Sequence, residues 1–431
     1  MKIYRYPSEM AEKQLESVVN RGLEIDKAAI ANVERILEDI KQHGDDALIR
    51  YINRFDAPDL TIQSLRVSDQ EFESAEKEVL PEIMQSLRRA AKQIESFHRQ
   101  QLRKSWIDTQ RPGTVLGQLF NPVDVAGIYV PGAQGGKTPL VSSVLMGAIP
   151  AKIAGVRQVL ISTPPRKDGT INPYILAAAK LVGADAVYKA GSAWGIAALA
   201  YGTKTIPKAN VIAGPGNIYV TIAKKIVSGT VGIDMIAGPS EILIIADASA
   251  NPEFAAADML SQAEHDPLAS AMLLTTSEEL AKDVSFAIGR QLDGLERKEI
   301  AKTSLEKYSA IFLVSDMATA FDLANRIAPE HLELQIEHPF EYLGHIRNAG
   351  AVFIGHYTPE PVGDYIAGPN HVLPTAGTAR FSSALSVDHF IKKTSIIHYS
   401  ESAFKSEAPD IIRIADIEGL DAHARSVKIR L

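Results

Sequence analysis

The sequence predicts an α/β protein built from two doubly wound, mostly parallel sheet units, and three observations carry that prediction. From Val123 onward, β-rich runs alternate with Ala-rich helical patterns: VAGIYV, Val144–Ala154, VRQVLIS, Tyr174–Val182, AVYKA and a helical segment from Ala193. Such alternation is the mark of βαβ units in a parallel sheet covered on both faces. A second series opens after the Gly238–Pro239 turn with strand EILIIAD, helix Pro252–Glu264, strand AMLLT, helix Glu278–Leu292 and strand AIFLVS. It continues with helix Met317–Ile327, strand LELQI, a further helix and strand AVFIG. The third observation is length, since 431 residues exceed what one hydrophobic core usually supports.

These series place the two units at roughly 109–238 and 239–380. Before them, residues 1 to about 108 read as helices, with apolar residues at helical spacing through Ile30–Leu37 and Ile83–Ile94. After His389 the pattern weakens, and Asp410–Ile417 reads as one short amphipathic helix that cannot bury its face alone. That tail must dock on something.

Composition narrows the function classes. An apolar content of 46%, a charged content of 23% and a mean hydropathy of -0.02 are those of an ordinary globular protein. A net charge of -7 disfavours a nucleic-acid partner, which a basic face would normally meet, and favours a small molecule. The absence of cysteine excludes disulfides, thiolate metal sites and cysteine nucleophiles, so any metal must be held by nitrogen and oxygen. The N-terminus MKIYRYPSEM has no apolar core of a signal, and the longest apolar stretch, Leu140 to Val156, contains Pro150 and Lys152. A cytoplasmic address without membrane association is expected.

Several motifs carry candidate chemistry. Pro131–Thr138, PGAQGGKT, approaches a nucleoside-triphosphate loop but has Pro131 where the first glycine is required, so a Gly-rich turn after a buried strand is the better reading. At that strand's carboxyl end Tyr129 is placed to face a planar cofactor ring. Gly214–Tyr219, GPGNIY, starts like a dinucleotide fingerprint and lacks its third glycine; Asn217 serves there either as a helix cap or as a cofactor contact. Gln262 and His265, three apart in SQAEHD, share one helix face. Asp364 and His371 stand in the Gly- and Pro-rich loop GDYIAGPNHVLPT, and EGLDAH in the tail adds Glu418 and His423. Imidazole, carboxylate and amide oxygen of this kind suit a zinc shell, and surface or capping roles are the alternative. In RIAPEHLELQ, Glu330 and His331 pair a carboxylate with an imidazole before a strand, which offers a general base near neutral pH and a second acid/base group; a solvated turn pair is the competing reading.

Together AGPSEILIIAD, LSQAEHD, RIAPEHLELQ, GDYIAGPNHVLPT, ARFSSALSV and EGLDAHARSV resemble the histidinol dehydrogenase family, in order and over nearly the whole chain. The resemblance implies a zinc ion on Gln262, His265, Asp364 and His423, an acid/base pair of Glu330 and His331, and substrate contacts from Ser240, His371 and Glu418 besides His331 and the metal ligands. It places NAD against Tyr129 and Asn217. It implies two Rossmann-like units: residues 23–108 with 239–381 as the zinc-bearing one and 109–238 as the NAD side. To these it adds a small N-terminal helical segment, 1–22, and a C-terminal tail, 382–431, exchanged within a homodimer. The implied activity is oxidation of L-histidinol to L-histidine through the aldehyde, with two NAD reduced in succession. One departure stands out: Gly191-Ser-Ala-Trp194-Gly195 carries Trp194 where many members carry a cofactor-contacting Gln. Two rivals compete: a sister zinc dehydrogenase for another small polar alcohol, such as a sulfonated one, and a P-loop nucleotide-binding module.

Overall fold

The computed structural model describes residues 1–20, 26–132 and 138–431. Most of the PGAQGGKT segment, and the expected boundary at residues 22 and 23, lie outside the described residues.

The described residues include fifteen strands, all but β5 joined in three sheets: β1 (Ile3–Arg5), β2 (Trp106–Asp108), β3 (Thr114–Pro122), β4 (Val125–Tyr129), β5 (Thr138–Pro139), β6 (Gln158–Thr163), β7 (Ala186–Lys189), β8 (Val211–Ala213), β9 (Gly232–Ile233), β10 (Glu241–Ala246), β11 (Ser270–Thr275), β12 (Ala310–Leu313), β13 (His331–Gln335), β14 (Ala351–Ile354) and β15 (Ile391–Tyr399). A six-stranded parallel sheet runs β1-β12-β11-β10-β13-β14. A five-stranded parallel sheet runs β7-β6-β4-β8-β9. The expected pair of doubly wound sheets is thus present as a mixed α/β architecture.

Strand alternation explains the burial. In β10, Ile242, Ile244 and Ala246 pack on the helices Pro252–Ala263 and Glu278–Leu292, whereas Leu243 and Ile245 pack on Glu9–Val19 and Met317–Ile327. Every β10 residue is buried. The five-stranded sheet is covered in the same way: Val125 and Tyr129 face one cluster, Ala126 and Ile128 the other. Helix starts follow their caps: Asn251 accepts from Glu253 N ahead of Pro252, and Asn172 from Tyr174 N ahead of Pro173.

Two expectations need correction, and the packing of the helices between them adds a finding. The segment before residue 22 is not wholly helical, because Ile3–Arg5 pairs with β12; three residues are too few to show a period of two. The helices of residues 27–99 share apolar clusters with the five-stranded sheet, and the helix Pro81–Arg99 also meets Gly368 and Asn370. Helical periodicity shows that a face is buried without showing which sheet it meets. The tail is far more ordered than one short helix: β15 pairs antiparallel with β3 over nine residues, and helices Glu401–Ile417 and Asp421–Lys428 follow. β15 alternates poorly because much of the β15-β3-β2 sheet is exposed.

Winding reverses between β4 and β8 in one sheet and between β10 and β13 in the other. The first reversal presents carboxyl ends of strands, the usual ligand crevice of open α/β sheets. At the second the chemistry sits at the amino ends, since Glu241 opens β10 and His331 opens β13. No described helix is long and apolar enough to cross a membrane.

Candidate active site

His331 is the first residue of β13 and 4% exposed. Its Nδ1 lies 2.9 Å from the Glu241 carbonyl oxygen, which accepts only, so Nδ1 carries the hydrogen and Nε2 keeps a free lone pair. Burial drives its pKa down to about 4. Beside it Glu330 Oε2 accepts from Glu241 N at 2.9 Å and lies 3.7 Å from His331 Nδ1. Burial pushes the Glu330 carboxyl well above the ordinary glutamate range, against the hydrogen bond from Glu241 N, which lowers it. The pair is therefore held by the start of β10, and the turn is not solvated.

Glu330 precedes the strand because the helix Met317–Ile327 ends on Ala328 in the left-handed conformation, φ 53°, and Pro329 follows. Gly350 closes the same corner: a Cβ there would meet the Glu330 carbonyl at 2.5 Å.

Of the four expected metal ligands, Gln262 is buried, Asp364 is half-buried and close to His331, and His265 is an exposed residue whose charge would act on His331. Gln262 ends the helix Pro252–Ala263 with no exposure, and neither its Oε1 nor its Nε2 has a hydrogen-bond partner among the described residues. His265 lies just past the helix end rather than on it, and desolvation of its ring lowers its pKa. Asp364 stands in a π-helical turn, Gly363–Ala367, with its pKa raised to about 6 by burial. A buried amide with both ends unmatched is costly unless another group meets it, and an amide oxygen, a neutral imidazole and a carboxylate form a set that suits zinc. The donor set fits the ion.

His331, Glu360 and Asp364 offer ligand atoms all within 4.8 Å of one another. Glu360, 2% exposed, was missed from the sequence, as was Glu241, 3% exposed. Burial, then Asp364, raises Glu360 to about 8. The missed signals were an acid four residues before Asp364 and an acid opening an otherwise apolar strand. His371 Nδ1 lies 3.8 Å from Asp364 Oδ1, its Nε2 has no partner among the described residues, and burial takes it to about 4. Asp364 and His371 open onto a cavity of about 560 Å³ whose wall includes Arg347, Ser382 and Ser386. Ser240 immediately precedes β10, and its carbonyl accepts from Ser270 N.

Glu418 and His423 do not join this buried group in the single chain. Both are exposed, Glu418 at the end of one tail helix and His423 on the next.

At the other reversal Tyr129 is 3% exposed and its hydroxyl accepts from Ser192 N at 2.9 Å. Asn217 caps the helix Ile218–Val227, accepting from Tyr219 N and Val220 N. Trp194 faces the helix Lys27–Phe55: its ring stacks on Phe55 at 5.4 Å, and Nε1 donates to Asp56 Oδ2 at 3.0 Å.

The two parallel sheets and the buried Glu330–His331 pair, beside a cluster of groups able to hold a metal ion, mark an α/β enzyme with an interior polar centre. Residues 19–431 match the family model described as histidinol dehydrogenase. Histidinol dehydrogenase of Desulfotalea psychrophila is 54% identical over 417 residues, covering 97% of this chain and 96% of that one. Histidinol dehydrogenase of Oleidesulfovibrio alaskensis is 57% identical over 399 residues, with 93% and 92% covered. A crystal structure of histidinol dehydrogenase from Elizabethkingia anophelis superposes with a TM-score of 0.93 at 40% identity, covering 100% of this chain and 98% of that one. The chain belongs to the histidinol dehydrogenase family.

Proposed function

We propose that this chain oxidises L-histidinol to L-histidine in two successive NAD-linked steps, with one zinc ion per subunit. The carrying observation is the cluster of His331, Glu360 and Asp364 with ligand atoms within 4.8 Å of one another, to which the fully buried, unpartnered Gln262 adds an amide in search of a partner. Gln262, His265 and Asp364, with the partner subunit's His423, would hold the ion. When bound it supplies positive charge that accepts substrate nitrogens and fixes the alcohol carbon.

The chain's own groups do the proton work. With Nδ1–H committed to the Glu241 carbonyl, His331 Nε2 takes the hydroxyl proton as hydride passes to NAD. Glu330, buried and of raised pKa, takes a proton from the water that hydrates the aldehyde before the second oxidation. NAD lies in the crevice between the ends of β4 and β8, near Tyr129 and Asn217. The substrate-facing positions are Ser240, His371 and Glu418.

The reading includes a homodimer with exchanged tails, which is supported by the large apolar side chains the tail exposes, Ile417 at 86% and Ile429 at 80% among them. In the assay, L-histidinol yields two NADH per molecule consumed, and a chelator abolishes activity until zinc is restored. One NADH per substrate, or full activity after exhaustive demetallation, sinks the mechanism.

A further inference from the structure

Lys224 and Asp234 form an ion pair with side chains 3% and 0% exposed. Lys224 lies on the helix Ile218–Val227, and its Nζ also donates to the Gly214 carbonyl at 3.0 Å. Asp234 directly follows β9; its Oδ2 accepts from Gly214 N at 2.8 Å and its Oδ1 from Met235 N at 2.7 Å. Both backbone groups of Gly214 therefore end on one buried pair.

Gly214 is the first residue past β8, with φ 121°, and a Cβ there would collide with the Tyr129 carbonyl oxygen. The loop Gly214–Asn217 thus leaves β8 pressed against the end of β4, at the winding reversal where the cofactor crevice opens. Taking two charges out of water is costly, and an apolar pair would hold the helix against β9 equally well. An apolar pair cannot donate to and accept from the same residue.

We infer that Lys224 and Asp234 are positioning residues for the cofactor, which clamp Gly214 so that the loop and the start of the following helix keep their place beside Tyr129. The inference rests on assigning NAD to this crevice. It predicts a defect confined to the cofactor.

The test is the double variant Lys224→Met/Asp234→Asn, which removes both charges together. Steady-state kinetics, NADH titration, zinc content and thermal melting are measured on the intact enzyme. Loss of charge-assisted hydrogen bonds is expected to raise KM for NAD and Kd for NADH on the order of tenfold, with kcat at saturating NAD within about twofold. KM for L-histidinol and zinc content stay at the wild-type values. Lys224→Arg keeps the charge pair while displacing the donor from Gly214, and it is expected to raise KM for NAD about threefold or more even where the double variant does not fold. A folded variant whose NAD parameters are unchanged, or one that loses kcat and melting temperature alone, overturns the positioning role. Asn217→Ala serves as the separate control. If it too leaves NAD binding unchanged while L-histidinol is still oxidised, the crevice assignment has failed instead.

Discussion

At His331 a single backbone carbonyl fixes the tautomer: Nδ1–H points to Glu241 O, and burial favours the neutral ring, which leaves the Nε2 lone pair for the proposed base role. His331→Ala is therefore expected to slow both oxidations by about 10²–10⁴-fold, and Glu330→Gln to slow the aldehyde step more than the alcohol step, as resolved by single-turnover measurements. Equal losses in both steps would remove the division of labour. The pair was legible because a carboxylate beside an imidazole has few packing reasons to exist. Glu241 and Glu360 were not legible, since their roles come from neighbours about 90 and 30 residues away in sequence. Trp194 reads differently in structure as well, stacking on the helix Lys27–Phe55 as part of that helix's docking. Trp194→Ala should cost about 3–5 kcal/mol in urea denaturation. Its partner Asp56 has a pKa raised to about 6 by burial. A raised carboxyl contributes fully below its unfolded value of about 3.9, and that contribution is lost as pH rises through 6. Asp56→Asn is accordingly expected to gain stability over wild type between pH 5 and pH 8, and a constant difference across that range rules out the ionised carboxylate as the cause.

Among the elements, the helices and central strands were readable because they are covered on both faces or along one stripe, and burial of that kind writes itself into the sequence. Val141–Ala154 and β4 illustrate the fit: Gly147 is buried, and a Cβ there would collide with Ile128 Cγ2 on β4. Ile128 is fully buried and β-branched, so it has little room to turn aside. Gly147→Ala should therefore destabilise by about 1–3 kcal/mol despite alanine's higher helix propensity, measured as a fall in the urea midpoint at constant m value. An unchanged midpoint would mean that helix and strand separate freely. The β15-β3-β2 sheet escaped notice for the opposite reason. Lys392, Lys393 and Ser395 share β15 with Ile396 and Ile397, and the exposed sheet imposes no alternation on them.

For the molecule as a whole, the tail is folded yet unburied. Its two helices contribute three buried residues, Ala408, Ala415 and Ala424, while Ile414, Ile417, Leu420, Ile429 and Leu431 remain exposed. Glu418 and His423 lie among those exposed side chains, apart from the buried Gln262 whose amide has no hydrogen-bond partner among the described residues. The proposed homodimer would account for both features at once, because docking one tail on the neighbouring subunit would cover the apolar residues and bring His423 toward that subunit's Gln262, His265 and Asp364. Sequence spacing is silent on this point, since the same 22 C-terminal residues after Pro409 can fold back or cross over. Two inactive variants decide it. His331→Asn and His423→Asn chains are unfolded together and refolded, and mixed dimers are confirmed by mass spectrometry. If tails cross, one site of each mixed dimer collects both lesions and the other collects neither, so activity returns to roughly a quarter of wild type for random pairing in a two-fold dimer. If each tail folds onto its own chain, every site keeps one lesion and no activity returns. Recovery close to a quarter, absent when either variant is refolded alone, is the expected result; its absence with mixed dimers present refutes the exchange and leaves the proton chemistry of Glu330 and His331 standing.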